Sequence, residues 1–243
     1  MCTVTFIPAR ERVFITSSRD EAAARPAALP PARYVFDNDE MVFPKDAAAG
    51  GGWITAKSNG DALVLLNGAF TRHIPQPPYG KSRGLVFLEI AKATEPLKYF
   101  LKAILYNIEP FTLVIWHKAG LYECRWNGLR KFSRQLDAQQ PHIWSSVTLY
   151  ANDVIMKREM WFSRWLSGNT NPQMEDVLHF HRFGGEGGAE NNFCMNRDGK
   201  MLTVSITGIE LTEKEAGMTY LDIKENNNYQ VVLPVTQVDY CAI

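Results

Sequence analysis

The 243-residue sequence has no net charge, with 26 Lys and Arg against 26 Asp and Glu. That balance lacks the electrostatic footprint of a general nucleic-acid or anionic-membrane binder. It also lacks any run near the roughly 18 apolar residues that a membrane span needs. The opening residues lack the charged and apolar regions of a secretory signal, so a cytoplasmic location is expected. Cysteine is scarce: Cys2, Cys124, Cys194 and Cys241 form no C-x-x-C pair. That spacing argues against structural zinc and a redox dithiol, and reduced thiols follow. Only Ala242 and Ile243 follow Cys241, one residue too few for a prenylation box. No metal or cofactor is expected, and no linker or repeat divides the chain, so residues 1–243 read as a single domain.

Against these absences stands one placement. Cys2 directly precedes the apolar pattern Thr3-Val4-Thr5-Phe6-Ile7. A residue this small at position two normally permits removal of Met1, leaving a thiol and a free α-amine on one residue. Their ordinary pKa values are about 8.5 and about 7.7–8.0, so both titrate near neutrality. An amine that takes the thiol's proton supplies nucleophile and base together. The plainer reading is a small hydrophobe at the start of a buried strand, and position alone favours it.

Residues 3–8 and 12–17 alternate as two strands around Ala9-Arg10-Glu11. Residues 22–50, rich in Ala and Pro, read as a long surface excursion. Strands return at 53–56 and 61–66 around Ser58-Asn59-Gly60-Asp61. Prolines 75, 77 and 78 keep 71–81 out of a central ladder. A helical pattern follows at 85–90, and Thr94-Glu95-Pro96 reads as a helix start with Thr as cap. Leu97, Phe100, Leu101, Ile104 and Leu105 would form one apolar face there. Residues 111–117 and 121–126 read as strands, and 153–166 and 173–182 as helices, the first carrying Met160, Trp161, Trp165 and Leu166 toward the core. Strand patterns close the chain at 201–209, 218–224 and 229–235. This grouping suits an α+β layered fold rather than alternating βαβ units.

Ser17-Ser18-Arg19-Asp20-Glu21 ends the second predicted strand, so a hairpin with residues 3–8 brings Arg19 and Asp20 back beside residue 2. A guanidinium there favours thiolate, and a carboxylate orients an amine. A solvated charged turn is the plainer alternative. Gly50-Gly51-Gly52-Trp53 permits close backbone approach before a bulky anchor, or a tight turn. Leu66-Asn67-Gly68 places an amide at a strand end, where an oxyanion donor or a turn residue would sit. His179 and His181 share a face only in an extended chain, and helix reads there, so a metal site is not expected. Gly184-Gly185-Glu186-Gly187-Gly188 lacks the Lys-Ser/Thr of a phosphate loop and reads as a mobile loop.

Taken in order, these segments carry a resemblance. Met1-Cys2 before a strand, Ser18-Arg19-Asp20-Glu21, Arg25-Pro26, Gly51-Gly52-Trp53-Ile54, Leu66-Asn67-Gly68, Ser82-Arg83-Gly84-Leu85 and Pro110-Phe111-Thr112-Leu113-Val114 resemble the NRDE family. That family is similar to the cysteine N-terminal-nucleophile hydrolases such as penicillin V acylase and bile salt hydrolase. The resemblance implies an αββα sandwich, with two mainly antiparallel sheets between helix layers. It implies Cys2 as nucleophile, Arg19 and Asp20 as its neighbours, and Asn67 at the oxyanion position. Ser146, Trp53 and Gly68 are further oxyanion or pocket candidates. Ser18 stands where the signature has Asn, and Ser146 where the hydrolases place an asparagine. The Glu190-Asn191-Asn192-Phe193 region offers no clear counterpart to a second active-site arginine.

The function implied is a cysteine amidohydrolase cleaving a non-peptide amide of a small molecule through an acyl-enzyme on Cys2. The alternative is a non-catalytic haem- or lipid-handling trafficking protein on the same fold, although no C-x-x-C-H haem signature is present. An N-terminal-cysteine redox sensor is a third reading.

Overall fold

Alternation in the first hairpin organises the molecule. In the computed structural model, which describes residues 3–36, 39–186 and 188–236, β1 (Thr3–Ala9) pairs antiparallel with β2 (Arg12–Ala22), Thr3 opposite Ser18. Successive strand residues face opposite sides. Val4, Phe6 and Ile15 enter one apolar layer, while Ile7 and Phe14 enter another. The first sheet runs β10 (His142–Ser145), β1, β2, β12 (Met201–Leu211), β13 (Glu215–Asp222), β14 (Asn227–Pro234), with β11 (Asn196–Arg197) beside β12. The second runs β3 (Leu29–Phe36), β4 (Asp39–Lys45), β5 (Ile54–Lys57), β6 (Ala62–Asn67), β7 (Phe111–His117), β8 (Gly120–Trp126), β9 (Lys131–Leu136). All of these pairings are antiparallel. The sheets face each other through contacts such as Phe6 against Trp116, ring centres 5.6 Å apart.

Two helix layers complete an α+β sandwich of four layers. Helices α1 (Arg83–Lys92) and α2 (Pro96–Lys102) cover the second sheet, and α3 (Asn152–Gly168) and α4 (Met174–Phe183) the first. Helix α4 rests on β12 where Gly208 has no side chain; a Cβ there would stand 2.4 Å from Met174 Sδ. Among the described residues, no helix is long and apolar enough to cross a membrane.

Several sequence expectations give way. The segment 22–50 is no loop excursion: β3 and β4 form a hairpin within it. Pro30 and Pro31 are tolerated because β3 lies at a sheet edge and its register with β4 shifts there. Strand β2 runs on through Ser17–Glu21, so that stretch is sheet and not a turn. Glu95, not Thr94, occupies the cap position of α2, without a side-chain bond. That helix ends at Lys102, which leaves Ile104 91% exposed and Leu101 half-exposed, while Phe100 and Leu105 are buried. In α3 the buried stripe is Val154, Arg158, Trp161 and Phe162, with Met160 outside it.

Candidate functional site

The site is built around the N-terminal end of β1. Cys2 itself lies outside the described residues, as does Cys241; Thr3 is the first position described. Because β2 alternates, Arg19 and Asp20 are consecutive yet serve opposite faces of the sheet. Both are buried.

On the helix side, Asp20 accepts hydrogen bonds from the Tyr150 hydroxyl and from Thr203 Oγ1, each at 2.5 Å. An irregularity in β12 between Thr203 and Ser205 keeps Thr203 opposite Asp20. Thr203 Oγ1 in turn accepts from the Met195 N–H at 2.8 Å. Arg158, fully buried on α3, donates to Thr3 Oγ1 and to the carbonyls of Asn191 (3.2 Å) and Asn192 (2.5 Å). No carboxylate pairs with Arg158 among the described residues. Its charge rests instead on carbonyl dipoles and on the faces of Tyr150 (3.8 Å) and Phe193 (5.3 Å). Arg197 lies on the same Tyr150 ring at 5.4 Å.

His181 of α4 completes this layer. Its Nε2 and Nδ1 meet Thr5 Oγ1 and Ser18 Oγ, both at 2.8 Å. Burial, and then the nearby Arg158 charge, push its pKa down to about 3. The ring is therefore neutral and donates through one nitrogen while accepting at the other. Ser18, at the signature's Asn position, thus ties β2 to α4.

On the sheet-facing side, the Arg19 guanidinium lies over the Trp53 ring at 4.6 Å and donates to Asp46 at 2.7 Å. Asp46 also takes Arg25 at 2.9 Å and the Ala48 and Ala49 N–H groups. Burial alone would raise the Asp46 pKa. The hydrogen bonds from Arg25 and Ala49, with the Arg25 and Arg19 charges, hold it below the ordinary carboxylate value. Arg19, Arg25, Asp46 and Trp53, with Asn67 and the N-terminus of α1, line a cleft of about 470 Å³. The Gly-rich segment permits it: a Cβ on Gly51 would fall 2.7 Å from the Gly84 carbonyl carbon.

Asn67 closes the arrangement. Ser146 Oγ donates to the Asn67 carbonyl at 2.8 Å and bonds Thr148 Oγ1 at 2.9 Å. Ser146 follows Ser145, which pairs with Thr3, so this bond anchors the end of β6 beside the start of β1. The Asn67 side-chain amide makes no hydrogen bond among the described residues and lines both the 470 Å³ cleft and a smaller one of about 120 Å³. Gly68, at φ +83°, donates its N–H to the Pro110 carbonyl; a Cβ there would strike Val147 and Thr148.

Of the predicted residues, Arg19 and Asp20 follow Ser18, the β2 partner of Thr3, Ser146 follows its β10 partner Ser145 and holds Asn67, Trp53 stacks on Arg19, and Gly68 follows Asn67, with Asp20 on the far side of the sheet from Arg19 and Trp53. Tyr150, Thr203, Arg158, Asp46 and the role of His181 were not read from sequence. Only Arg158 carried a signal, as a cation on an apolar helical stripe. Helix α4 buries His181 and exposes His179. Among the described residues, no group of three His, Cys, Asp or Glu side chains could hold a metal ion. Cys124 is buried, with its thiol pushed up to about 12 by burial and Glu123. Cys194 is raised by burial and by Asp20.

No curated protein sequence matches the chain. Solved structures do. Penicillin V acylase from Agrobacterium tumefaciens aligns with a TM-score of 0.57 at 9% identity, over 95% of this chain and 86% of its own. A mutant conjugated bile acid hydrolase from Clostridium perfringens gives 0.60 at 8% identity, over 95% and 92%. The Caenorhabditis elegans ortholog of N-acylethanolamine-hydrolyzing acid amidase gives 0.58 at 11% identity, over 86% and 92%. At such identities the likeness establishes the fold alone, that of the N-terminal-nucleophile hydrolases. The sequence carries the family: over residues 1–180 it matches the model for Transport and Golgi organisation 2, and the chain belongs to that family.

Proposed function

We propose that the protein is a cysteine amidohydrolase that cleaves the C–N bond of a non-peptide amide, using Cys2 after removal of Met1. The α-amine takes the thiol proton, and the thiolate attacks the amide carbonyl carbon to form a C–S bond. The tetrahedral oxyanion accepts from the Asn67 carboxamide. The C–N bond then breaks, the leaving nitrogen takes the proton held by the amine, and a thioester remains. Water adds to the thioester, the C–S bond breaks, and the acid leaves with the thiol restored. Asp20 orients the ammonium and Arg19 favours the thiolate. Ser146 acts through its hold on the Asn67 carbonyl, since its hydroxyl proton is committed there.

The observation that carries this reading is Asn67. Its backbone is pinned one residue beyond the partner of Thr3, while its side-chain amide is left without an acceptor among the described residues. Intact-mass analysis of the protein with a panel of activated acyl amides is the test. The expected result is a chain beginning at Cys2 that gains one acyl mass, lost in Cys2→Ala. Retention of Met1 in protein that still turns over would overturn the mechanism.

A further inference from the structure

The 470 Å³ cleft beside Asn67 has the size of a small-molecule site, but its walls are unlike those of an acyl-chain tunnel. Arg19, Arg25, Lys81 and Arg83 line it, against Glu21, Asp46 and Glu109. The carboxylates are consumed by pairing. Asp46 is held between Arg19 and Arg25, Glu21 lies 3.5 Å and 3.6 Å from the same two guanidiniums, and Glu109 is ion-paired with Arg83 and meets His73, both at 3.0 Å. Lys81 differs: its partner Glu89 is outside the lining, and both side chains are 42% exposed. Such an exposed pair is held weakly and rearranges at little cost.

Two further features favour negative charge in the same cleft. Ser82, Arg83 and Gly84 bring the N-terminus of α1 to its wall, and the first turn of that ten-residue helix has no acidic residue to offset its partial positive charge. Trp53, only 3% exposed and part of the lining, has a buried indole N–H with no acceptor among the described residues. A buried donor of this kind is costly unless a ligand atom accepts from it.

We propose that this cleft binds the anionic end of the acyl group, so that the substrates are amides of carboxylate-bearing acids, a refinement that rests on the amidohydrolase reading above. The carboxylate lies toward Lys81 and the α1 N-terminus, and the scissile carbonyl toward Asn67. The mono-p-nitroanilide of glutaric acid, compared with valeryl p-nitroanilide of equal chain length, tests it. Release of p-nitroaniline should favour the glutaryl compound by about tenfold to hundredfold in kcat/KM, the range of a charge-assisted hydrogen bond. The ratio should collapse in Lys81→Glu. Equal rates, or a preference for the valeryl compound, overturn the proposal while leaving the amidohydrolase reading intact. A binding arm is independent of turnover: glutarate should raise the melting temperature of the wild type and not of Lys81→Glu, and valeramide should raise neither. If neither anilide reacts, the amidohydrolase reading fails, and glutarate stabilisation alone decides for or against the anion site.

Discussion

Removing the Tyr150 hydroxyl probes the buried Asp20 carboxylate near the start of β1. Asp20 is 4% exposed and accepts from Tyr150 and Thr203 at 2.5 Å each. A hydrogen bond to a charged group contributes about 1.5–3 kcal/mol. Tyr150→Phe keeps the ring against Arg158 and Arg197 and removes the hydroxyl that donates to Asp20. Thr203→Val removes the second bond and also strands the Met195 N–H, which donates to Thr203 Oγ1. An orphaned buried donor costs about 1–3 kcal/mol more. Thr203→Val should therefore be the more damaging substitution. For a chain of 243 residues, about 2–4 °C of melting temperature accompanies each kcal/mol, so Tyr150→Phe should lose about 3–12 °C. Thermal melting at neutral pH measures both variants. In an Asp20→Asn background the cost of Tyr150→Phe should shrink, the signature of direct coupling. A neutral Tyr150→Phe, or a Thr203→Val milder than it, would refute the carboxylate geometry.

The remaining predictions concern protonation and packing. With its folded pKa near 3 against about 6.5 unfolded, His181 contributes stability that is whole above about pH 6.5 and lost as pH falls toward the folded value, at up to about 1.4 kcal/mol per unit. The Asp61 hydrogen bond raises His117, so its contribution is complete below about 6.5 and lost only as pH rises through its folded value. Between about pH 5 and 6.5 the His117 contribution is flat, and unfolding midpoints there should slope less in His181→Gln than in the wild type; equal slopes contradict a buried neutral ring. Gly51→Ala, whose Cβ would meet Gly84 backbone at 2.7 Å, should cost about 1–3 kcal/mol by urea unfolding, and an unchanged midpoint would mean that α1 does not press on the Gly segment. Cys124 should resist iodoacetamide at neutral pH in the native protein, since its thiol titrates near 12; its alkylation before unfolding, read by peptide mass, would contradict that burial.

The first hairpin was legible in the sequence because Thr3-Val4-Thr5-Phe6 alternates with the period of a strand and a short polar turn follows, although both of its faces are buried. The hairpin β3–β4 was not, because its Pro30-Pro31 pair imitates a loop and only the sheet-edge position makes such residues acceptable. The apolar face assigned to Leu101 and Ile104 failed in two ways: α2 is seven residues long and ends at Lys102, before Ile104, and Leu101, within it, is half-exposed. Within the site, Asn67 was readable as the polar end of an apolar strand. The partners of Asp20 were not, since Tyr150 lies 130 residues away and Thr203 lies 183 away, and local pattern carries no record of such pairings. Arg158 was readable in principle, because Val154, Arg158, Trp161 and Phe162 recur at helical spacing and a cation on that stripe must find partners inside.

Strand geometry explains why an arginine and an aspartate can be consecutive here without neutralising each other. A turn would have let Arg19 and Asp20 fold together as a local ion pair. In β2 the sheet separates their side chains, and each acquires partners of its own. Arg19 shares its charge with Asp46 and spreads its flat face on Trp53, so it forms part of the cleft wall. Asp20 instead accepts from two hydroxyls, which steady a carboxylate without cancelling its charge. A neutral His181 on the same side adds structure without adding charge. The consequence is a division across one strand: Asp20 on the helix side, in the layer that also holds the buried Arg158, and the Arg19–Asp46 pair on the sheet-facing side in the cleft that Asn67 lines.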